Sequence, residues 1–172
     1  MKQVKTLVLA TVLFIGTQFT TAQAKVGHIN VQELMMANPA MKTAETQLKK
    51  LQETYDGEYK KMVQEYQTKL EQYQKDAEAK TVTDAVNETR SQEMQDMGAR
   101  IQKFQETSYK ALQDKQLELQ KPIMDKALAA IQKVAGTKGL SYVLDATSPG
   151  TILYVGTGSV DIIADVKKEL GY

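Results

Sequence analysis

The chain has 172 residues, a formal net charge of +1, and neither cysteine nor tryptophan. The absence of cysteine excludes disulfides, thiol nucleophiles and thiolate metal sites, and the near-zero charge gives no general attraction to nucleic acid or anionic lipid. The composition is rich in Lys, Gln, Glu, Ala and Leu, which favours long helices, and an aromatic content of 6% argues against a large compact core.

Residues 1–24 have the pattern of a secretory signal peptide. Lys2 and Lys5 form a charged start, an apolar run covers residues 6–16, and Ala22-Gln23-Ala24 has the small-x-small form of a signal peptidase site. A short membrane anchor is the alternative, but the run is too short to span a bilayer comfortably. We therefore expect cleavage after Ala24 and export to the periplasm, without stable membrane insertion.

A single strand pattern opens the mature chain. In residues 26–31, Gly27, Ile29 and Val31 point to one face and polar residues to the other, which is the period of a half-buried strand. Since one strand alone is not stable in water, this segment needs partners from elsewhere in the chain.

The middle of the chain predicts two long helices. Asn38-Pro39 suits a helix start, with Asn as the N-cap, and apolar residues recur at steps of three and four on both sides of residues 80–88. That segment lacks large apolar residues at the stripe positions, and Thr81 or Thr83 could cap a second helix, so we expect the chain to turn back there. The alternative is one unbroken helix of roughly 145 Å, at 1.5 Å per residue.

Partner strands for the first strand are found only near the end of the sequence. Residues 140–146 and 151–156 are strand-like, and Pro149-Gly150 between them fits the centre of a type II turn. The sequence therefore predicts a β-hairpin that pairs with the first strand. Two antiparallel helices return the chain to that strand, whereas one straight helix cannot. We expect Pro122 to kink or restart the return helix, and residues 160–170 to form a short closing helix.

Together these elements predict an α+β fold with one domain over residues 25–172. Residues 25–34 and 140–172 form a small β body with a C-terminal helix, and residues 38–136 form a long antiparallel helical hairpin. Three short strands leave apolar faces that one subunit cannot cover. We therefore expect assembly through the sheet, with an interface near six apolar residues: Ile29, Val31, Val143, Leu144, Ile152 and Val155.

The order and spacing of these segments resemble the OmpH/Skp family of periplasmic chaperones over essentially the whole chain. The likeness rests on the signal peptide, on "KVGHINVQEL", on the Gln-rich helical hairpin, on "LQKPIMDKALAAIQKVAGTKGLSYVLDA" and on "VDIIADVKKEL". The resemblance implies a homotrimer in which three chains share a small β-barrel body and three arms enclose a cavity. It also implies an ATP-independent holdase that binds unfolded outer-membrane β-barrel proteins, with no cofactor. The near-neutral charge departs from the strongly basic members of the family and argues against a nucleic-acid partner.

No pattern in the sequence predicts catalysis or a metal site. His28 is the only histidine, and Gly156-Thr157-Gly158-Ser159 lacks the spacing and the lysine of a phosphate-binding P-loop. We therefore expect a protein that is not an enzyme.

Contacts with a client are expected from soft or amphipathic side chains on the arms, because methionine and tyrosine adapt to many apolar partners. The candidates are Met62, Tyr66 and Met97, with a role in the helix–helix seam as the alternative. The alternative function is a structural or adaptor coiled-coil protein of the cell envelope that holds no client.

Overall fold

The computed structural model describes residues 24–172, so the predicted signal peptide lies, apart from Ala24, outside the described residues. The elements in chain order are strand β1 (Val26–Ile29), helix α1 (Val31–Ala37), helices α2 (Pro39–Glu78) and α3 (Asp84–Lys138), strands β2 (Tyr142–Asp145) and β3 (Val160–Asp161), and helix α4 (Ile163–Leu170). The mostly helical chain with one small sheet confirms the α+β class.

Helices α2 and α3 pack against each other as the two halves of an arm. They contain 40 and 55 residues, which correspond to about 60 Å and about 80 Å of helix. Residues 79–83 connect them, with Lys80 in the left-handed backbone region at φ 52°. The chain is therefore not one unbroken helix, and its turn is shorter than the segment that the sequence indicated. Thr83 occupies the N-cap position of α3 but makes no capping hydrogen bond through its side chain.

Helix α3 continues through Pro122 and does not restart there. Proline lacks an N–H and so removes one hydrogen bond from the helix interior. Beyond it, Ile123 packs against the core of the body, and Ala127 and Ala130 are buried in that core. This packing holds the last turns of the helix in place, which explains why the expected restart is wrong.

The sheet has the strand order β2-β1-β3, and both outer strands run parallel to β1. The predicted β-hairpin is therefore wrong: residues 151–156 form no strand in the described chain, and the third strand is Val160–Asp161. The Ile162 amide donates to the His28 carbonyl at 3.1 Å, and the Ile162 side chain is fully buried. Burial of this residue fixes β3 on the free edge of β1, and that leaves no edge of β1 for residues 151–156.

Residue Val31 begins helix α1 and does not lie on a strand as the sequence predicted. Asn30 caps the helix by accepting the Glu33 N–H at 2.9 Å. Asp145, at the end of β2, accepts the Val31 N–H at 3.3 Å. The Thr147 hydroxyl accepts the Gln32 N–H at 3.2 Å. Partial burial raises the pKa of Asp145, but hydrogen bonds from Thr147 and Val31 outweigh it, so the pKa lies below its usual value. The first three backbone N–H groups of α1, which have no partner within the helix, are thereby hydrogen-bonded. These bonds favour a helix from Val31 onward, so the strand ends at Ile29.

The body has a small core formed by β1, α1, α4 and the last third of α3. Its buried residues are Ile29, Leu34, Met35, Ala127, Ala130, Val134, Ile162 and Val166. The chain end closes over this core, because Tyr172 packs against it and donates its hydroxyl to the Leu34 carbonyl at 3.0 Å.

Candidate functional site

The seam between α2 and α3 uses much of the soft apolar surface of the arm. Met94 and Met97 are buried there, and the rings of Tyr55 and Phe104 meet edge to face with 6.0 Å between centroids. Met97 is only 5% exposed, so its side chain fills the arm rather than facing a partner.

The other two predicted client contacts lie at the border of the seam. Met62 and Tyr66 are half-buried, and Met62 lines a small cavity of about 110 Å³ together with Met97 and Ile101. Part of the Met62 side chain therefore remains accessible from outside the arm.

An apolar row on α3 was missed by the sequence analysis. It consists of Tyr109, Leu117, Met124 and Leu128, whose exposed fractions lie between 38% and 66%. With about 100° of rotation per helical residue, the four side chains fall within a sector of about 100°, on the side of α3 that points away from the seam residues Met94, Met97 and Phe104. Their spacings of 8, 7 and 4 residues are too sparse to show as a stripe. The row becomes visible only when the face that α2 covers is known.

A polar cluster joins the outer parts of the two helices. Glu93 on α3 accepts hydrogen bonds from the Lys69 ammonium and, at 2.7 Å, from the Tyr73 hydroxyl. Arg90 pairs with Asp76 at 2.9 Å, and its guanidinium lies 4.3 Å from the centroid of the Tyr73 ring, within range of a cation–π contact. The cluster therefore connects α2 to α3 near the turn.

The charges of this cluster reinforce each other. The hydrogen bond from Lys69 and then that from Tyr73 hold the pKa of Glu93 below its ordinary value of 4.5. The hydrogen bond to Glu93 raises the pKa of Lys69 above 10.5. The stabilisation from Glu93 is present above its ordinary pKa and is lost as the pH falls through the lowered pKa of the folded state, whereas that from Lys69 is lost only above pH 10.5. The cluster is therefore intact around neutral pH.

Replacement of Glu93 by glutamine should loosen the outer arm, because a neutral amide pairs less well with the Lys69 ammonium. We expect amides around residues 69–73 and 90–93 to exchange faster than in the wild type at neutral pH, with the body unchanged. In the wild type, the same loosening should develop as the pH falls below the ordinary 4.5 of a glutamate. Hydrogen exchange read by mass spectrometry gives the comparison. Glu106→Gln, at an exposed position of the same helix, is the control, and equal exchange in the two variants would contradict the prediction.

The body also exposes large apolar side chains: Tyr142, Leu144, Leu153, Tyr154 and Val155. Leu153 and Tyr154 are 91% and 85% exposed, which is unusual for residues of this size. They lie in the segment that was predicted to be a strand and that forms none in the described chain.

The six residues of the expected interface fall into three groups. Ile29 is buried in the core of its own chain, and Val31 is the first residue of α1. Val143 and Ile152 are half-buried, and Val143 packs against the core. Leu144 and Val155 are exposed. A partner subunit could therefore contact Leu144 and Val155 directly, whereas the Ile29 side chain packs in the core of its own chain.

The only histidine has a structural partner. His28 Nδ1 lies 3.0 Å from Ser159 Oγ, and this contact joins β1 to the loop before β3. The same loop, residues 156–159, borders a cavity of about 580 Å³ together with Lys25 and Val26. Among residues 24–172, no three or more His, Asp or Glu side chains are grouped so that they could hold a metal ion.

Within the part of the chain that the structure describes, no helix combines the length and the apolar character that crossing a membrane requires.

The body and arm define the class of the protein: a small α+β body from which one antiparallel two-helix arm extends. The chain belongs to the OmpH-like family, because the family model described as "Outer membrane protein (OmpH-like)" matches residues 25–170. This confirms the family that the sequence resemblance indicated.

The proteins that are similar to the chain include a solved structure and a relative in sequence. The crystal structure of a candidate outer membrane chaperone (OmpH-like) from Caulobacter crescentus CB15 superposes with a TM-score of 0.73, at 15% identity, over 87% of this chain and 85% of that one. At this identity the likeness concerns the fold. An uncharacterized protein from Aquifex aeolicus (strain VF5) is 28% identical over 142 residues, which are 83% of each chain.

Proposed function

We propose that the chain is a periplasmic holdase chaperone that works without ATP, binds unfolded outer-membrane β-barrel proteins and prevents their aggregation. Membership of the OmpH-like family supports a chaperone role. The observation that carries the proposal is the arm. Its two long helices pack against each other along a seam and still expose apolar side chains to solvent. Weak and numerous apolar contacts suit a protein that must hold many sequences and release them.

Assembly into a homotrimer is part of the proposal. The body exposes Leu153 and Tyr154 almost fully, and burial of each such side chain would contribute about 1.5–3 kcal/mol. Interfaces near Leu144 and Val155 would cover these groups and bring three arms around one cavity. The exposed side chains of Leu153, Tyr154 and Val155 would supply apolar surface to that interface.

The test uses the mature chain, residues 25–172, and a β-barrel protein of the outer membrane diluted from urea. We expect the chain to suppress light scattering by the client at one trimer per client, with no nucleotide added. An equal mass of an unrelated soluble protein is the control. If scattering is unchanged while the trimer is intact, the chain is a structural or adaptor protein of the envelope instead.

Capture of the client should depend little on salt. The formal charge of the whole chain is +1, and at about 0.15 M salt exposed charges act only over about 8 Å. Apolar burial is weakened little by sodium chloride and is strengthened by sulfate. We therefore expect the affinity for an unfolded client to change less than about threefold between low salt and about 0.15 M sodium chloride. Titration of a fluorescent client gives the affinity. A steep decrease in affinity as the salt concentration rises, with the trimer still intact, would show that local basic groups bind the client.

A further inference from the structure

We propose that the peptide bond between Ala24 and Lys25 is cleaved before the body folds, and that the folded body protects this bond from signal peptidase. The bond is the cleavage site that the sequence predicts. Hydrolysis adds water across it and leaves a carboxylate on Ala24 and an α-ammonium on Lys25. This step belongs to the maturation of the chain and does not depend on the proposed chaperone function.

The bond lies next to the sheet of the body. Strand β1 begins at Val26, so Lys25 alone separates the strand from the bond. The Lys25 carbonyl accepts the Ser141 N–H at 2.8 Å, and Val26 pairs with Tyr142. One extended residue reaches over about 3.3–3.6 Å, which keeps the bond too close to the body for the active site of an enzyme to enclose it.

A loop of the body limits access from another side. Ala24 and Lys25 border the cavity of about 580 Å³ that residues 156–159 also line, and the contact between Ser159 and His28 holds this loop beside β1. A cavity of this size accommodates a drug-sized molecule, whereas the catalytic groups of a peptidase belong to a much larger body. Ala24 and Lys25 are exposed to water, but an enzyme needs more room than water does.

The pairing of β1 removes the usual way in which a peptidase holds its substrate. An extended peptide binds well when its backbone adds to the edge of a sheet in the other protein. Strand β1 is the central strand, with β2 and β3 on its two edges, so its backbone offers no free edge. Cleavage in the folded state therefore requires that β1 first leaves the sheet, and its rate follows the small population of that open form.

The order of the segments leaves time for cleavage before folding. His28 and Ser159, which are in contact, are 131 residues apart in sequence, and the N-terminal residues emerge first. At about 5–20 residues per second, the partners of β1 follow it after about 7–26 s when export is coupled to synthesis. During this interval β1 has no partner strand and is not stable as a strand, so the bond is accessible.

The experiment measures cleavage of the purified precursor, residues 1–172, by a bacterial signal peptidase in detergent micelles. Ile162 is fully buried, so Ile162→Asp should open the body. We expect this variant to be cleaved at least about tenfold faster than the folded wild type. Leu117→Asp, at an exposed position of the arm, is the matched control and should be cleaved as slowly as the wild type. Equal rates for the wild type and Ile162→Asp would overturn the proposal.

A second variant changes the distance while the body stays folded. A spacer of about eight glycine and serine residues between Lys25 and Val26 moves the bond up to about 26–29 Å away from β1 and leaves both residues of the bond unchanged. We expect at least about tenfold faster cleavage than in the wild type, with the denaturant midpoint of the body retained. Slow cleavage of this folded variant would show that closeness to the body does not protect the bond, and the proposal would be wrong.

The mass of the product identifies the bond that is cut. We expect a product that begins at Lys25, and a product that begins elsewhere would also overturn the proposal. The holdase assay uses residues 25–172, which lack this bond. Failure of that assay would therefore leave the protection of the bond intact, and equal cleavage rates would leave the proposed chaperone function intact.

Discussion

Replacement of Leu144 by glutamate should convert the proposed trimer into a folded monomer. Leu144 lies on β2, at the edge of the sheet, and 44% of its surface is exposed in the single chain. A carboxylate at this position stays hydrated in the monomer, so the fold of the body survives. Within an interface, the same carboxylate would be buried without a partner, which costs several kcal/mol. Val143 is a less informative site, because its side chain packs against the core of its own chain.

Leu117→Glu is the matched control for this prediction. It makes the same chemical change at a more exposed leucine, on the arm rather than the body, so we expect the trimer to persist. Analytical ultracentrifugation at micromolar concentration measures the assembly, and circular dichroism measures the helix content. A trimer that survives Leu144→Glu would place the interface elsewhere. Dissociation in both variants would show that the arms as well as the sheet hold the subunits together.

The arm was predictable from sequence because its signals are local and repeated. Apolar steps of three and four persist over dozens of residues, and Asn38 caps α2 by accepting the Ala40 N–H at 2.9 Å. The face of α3 that remains exposed was not predictable, because it depends on where α2 packs. Met97 and Leu117 are both apolar residues on α3, yet one is buried and the other is exposed.

The sheet was harder to predict because its pairing depends on residues far apart in sequence. Strand β3 has two residues, too few for any alternating pattern, and its position is fixed by the buried Ile162 that follows. Residues 151–156 have a strand-like sequence, but β1 offers them no free edge. Val31 continues the alternation of β1, but the Asn30 cap and the Asp145 carboxylate favour a helix there. In both places, tertiary contacts override the local pattern.

Replacement of Gly27 by valine should break the sheet, whereas replacement by alanine should be tolerated. A Cβ added at Gly27 would lie 2.6 Å from Leu140 Cδ1, 3.4 Å from the Val160 carbonyl oxygen and 3.6 Å from Val143 Cγ2. The end of the Leu140 side chain can rotate away, so Gly27→Ala should cost less than about 1 kcal/mol. Valine adds two methyl groups that must fit against the backbone of β3 and against Val143, and such overpacking costs about 1–3 kcal/mol.

The effect of Gly27→Val should spread beyond the strand. Strand β3 is held to β1 by pairing at Gly27 and His28 and by the Ile162 amide, so displacing it would expose the fully buried Ile162 side chain and loosen α4. We expect faster exchange of the Ile162 amide and a lower denaturant midpoint of the body, with little change in the arm. Gly57→Ala is the control, since a Cβ there meets no atom within 4 Å, and the better helix propensity should stabilise the arm by up to about 1 kcal/mol. Equal denaturant midpoints for the alanine and valine variants at Gly27 would contradict the prediction. They would show that β3 can be displaced without a loss of free energy of unfolding and does not stabilise the body.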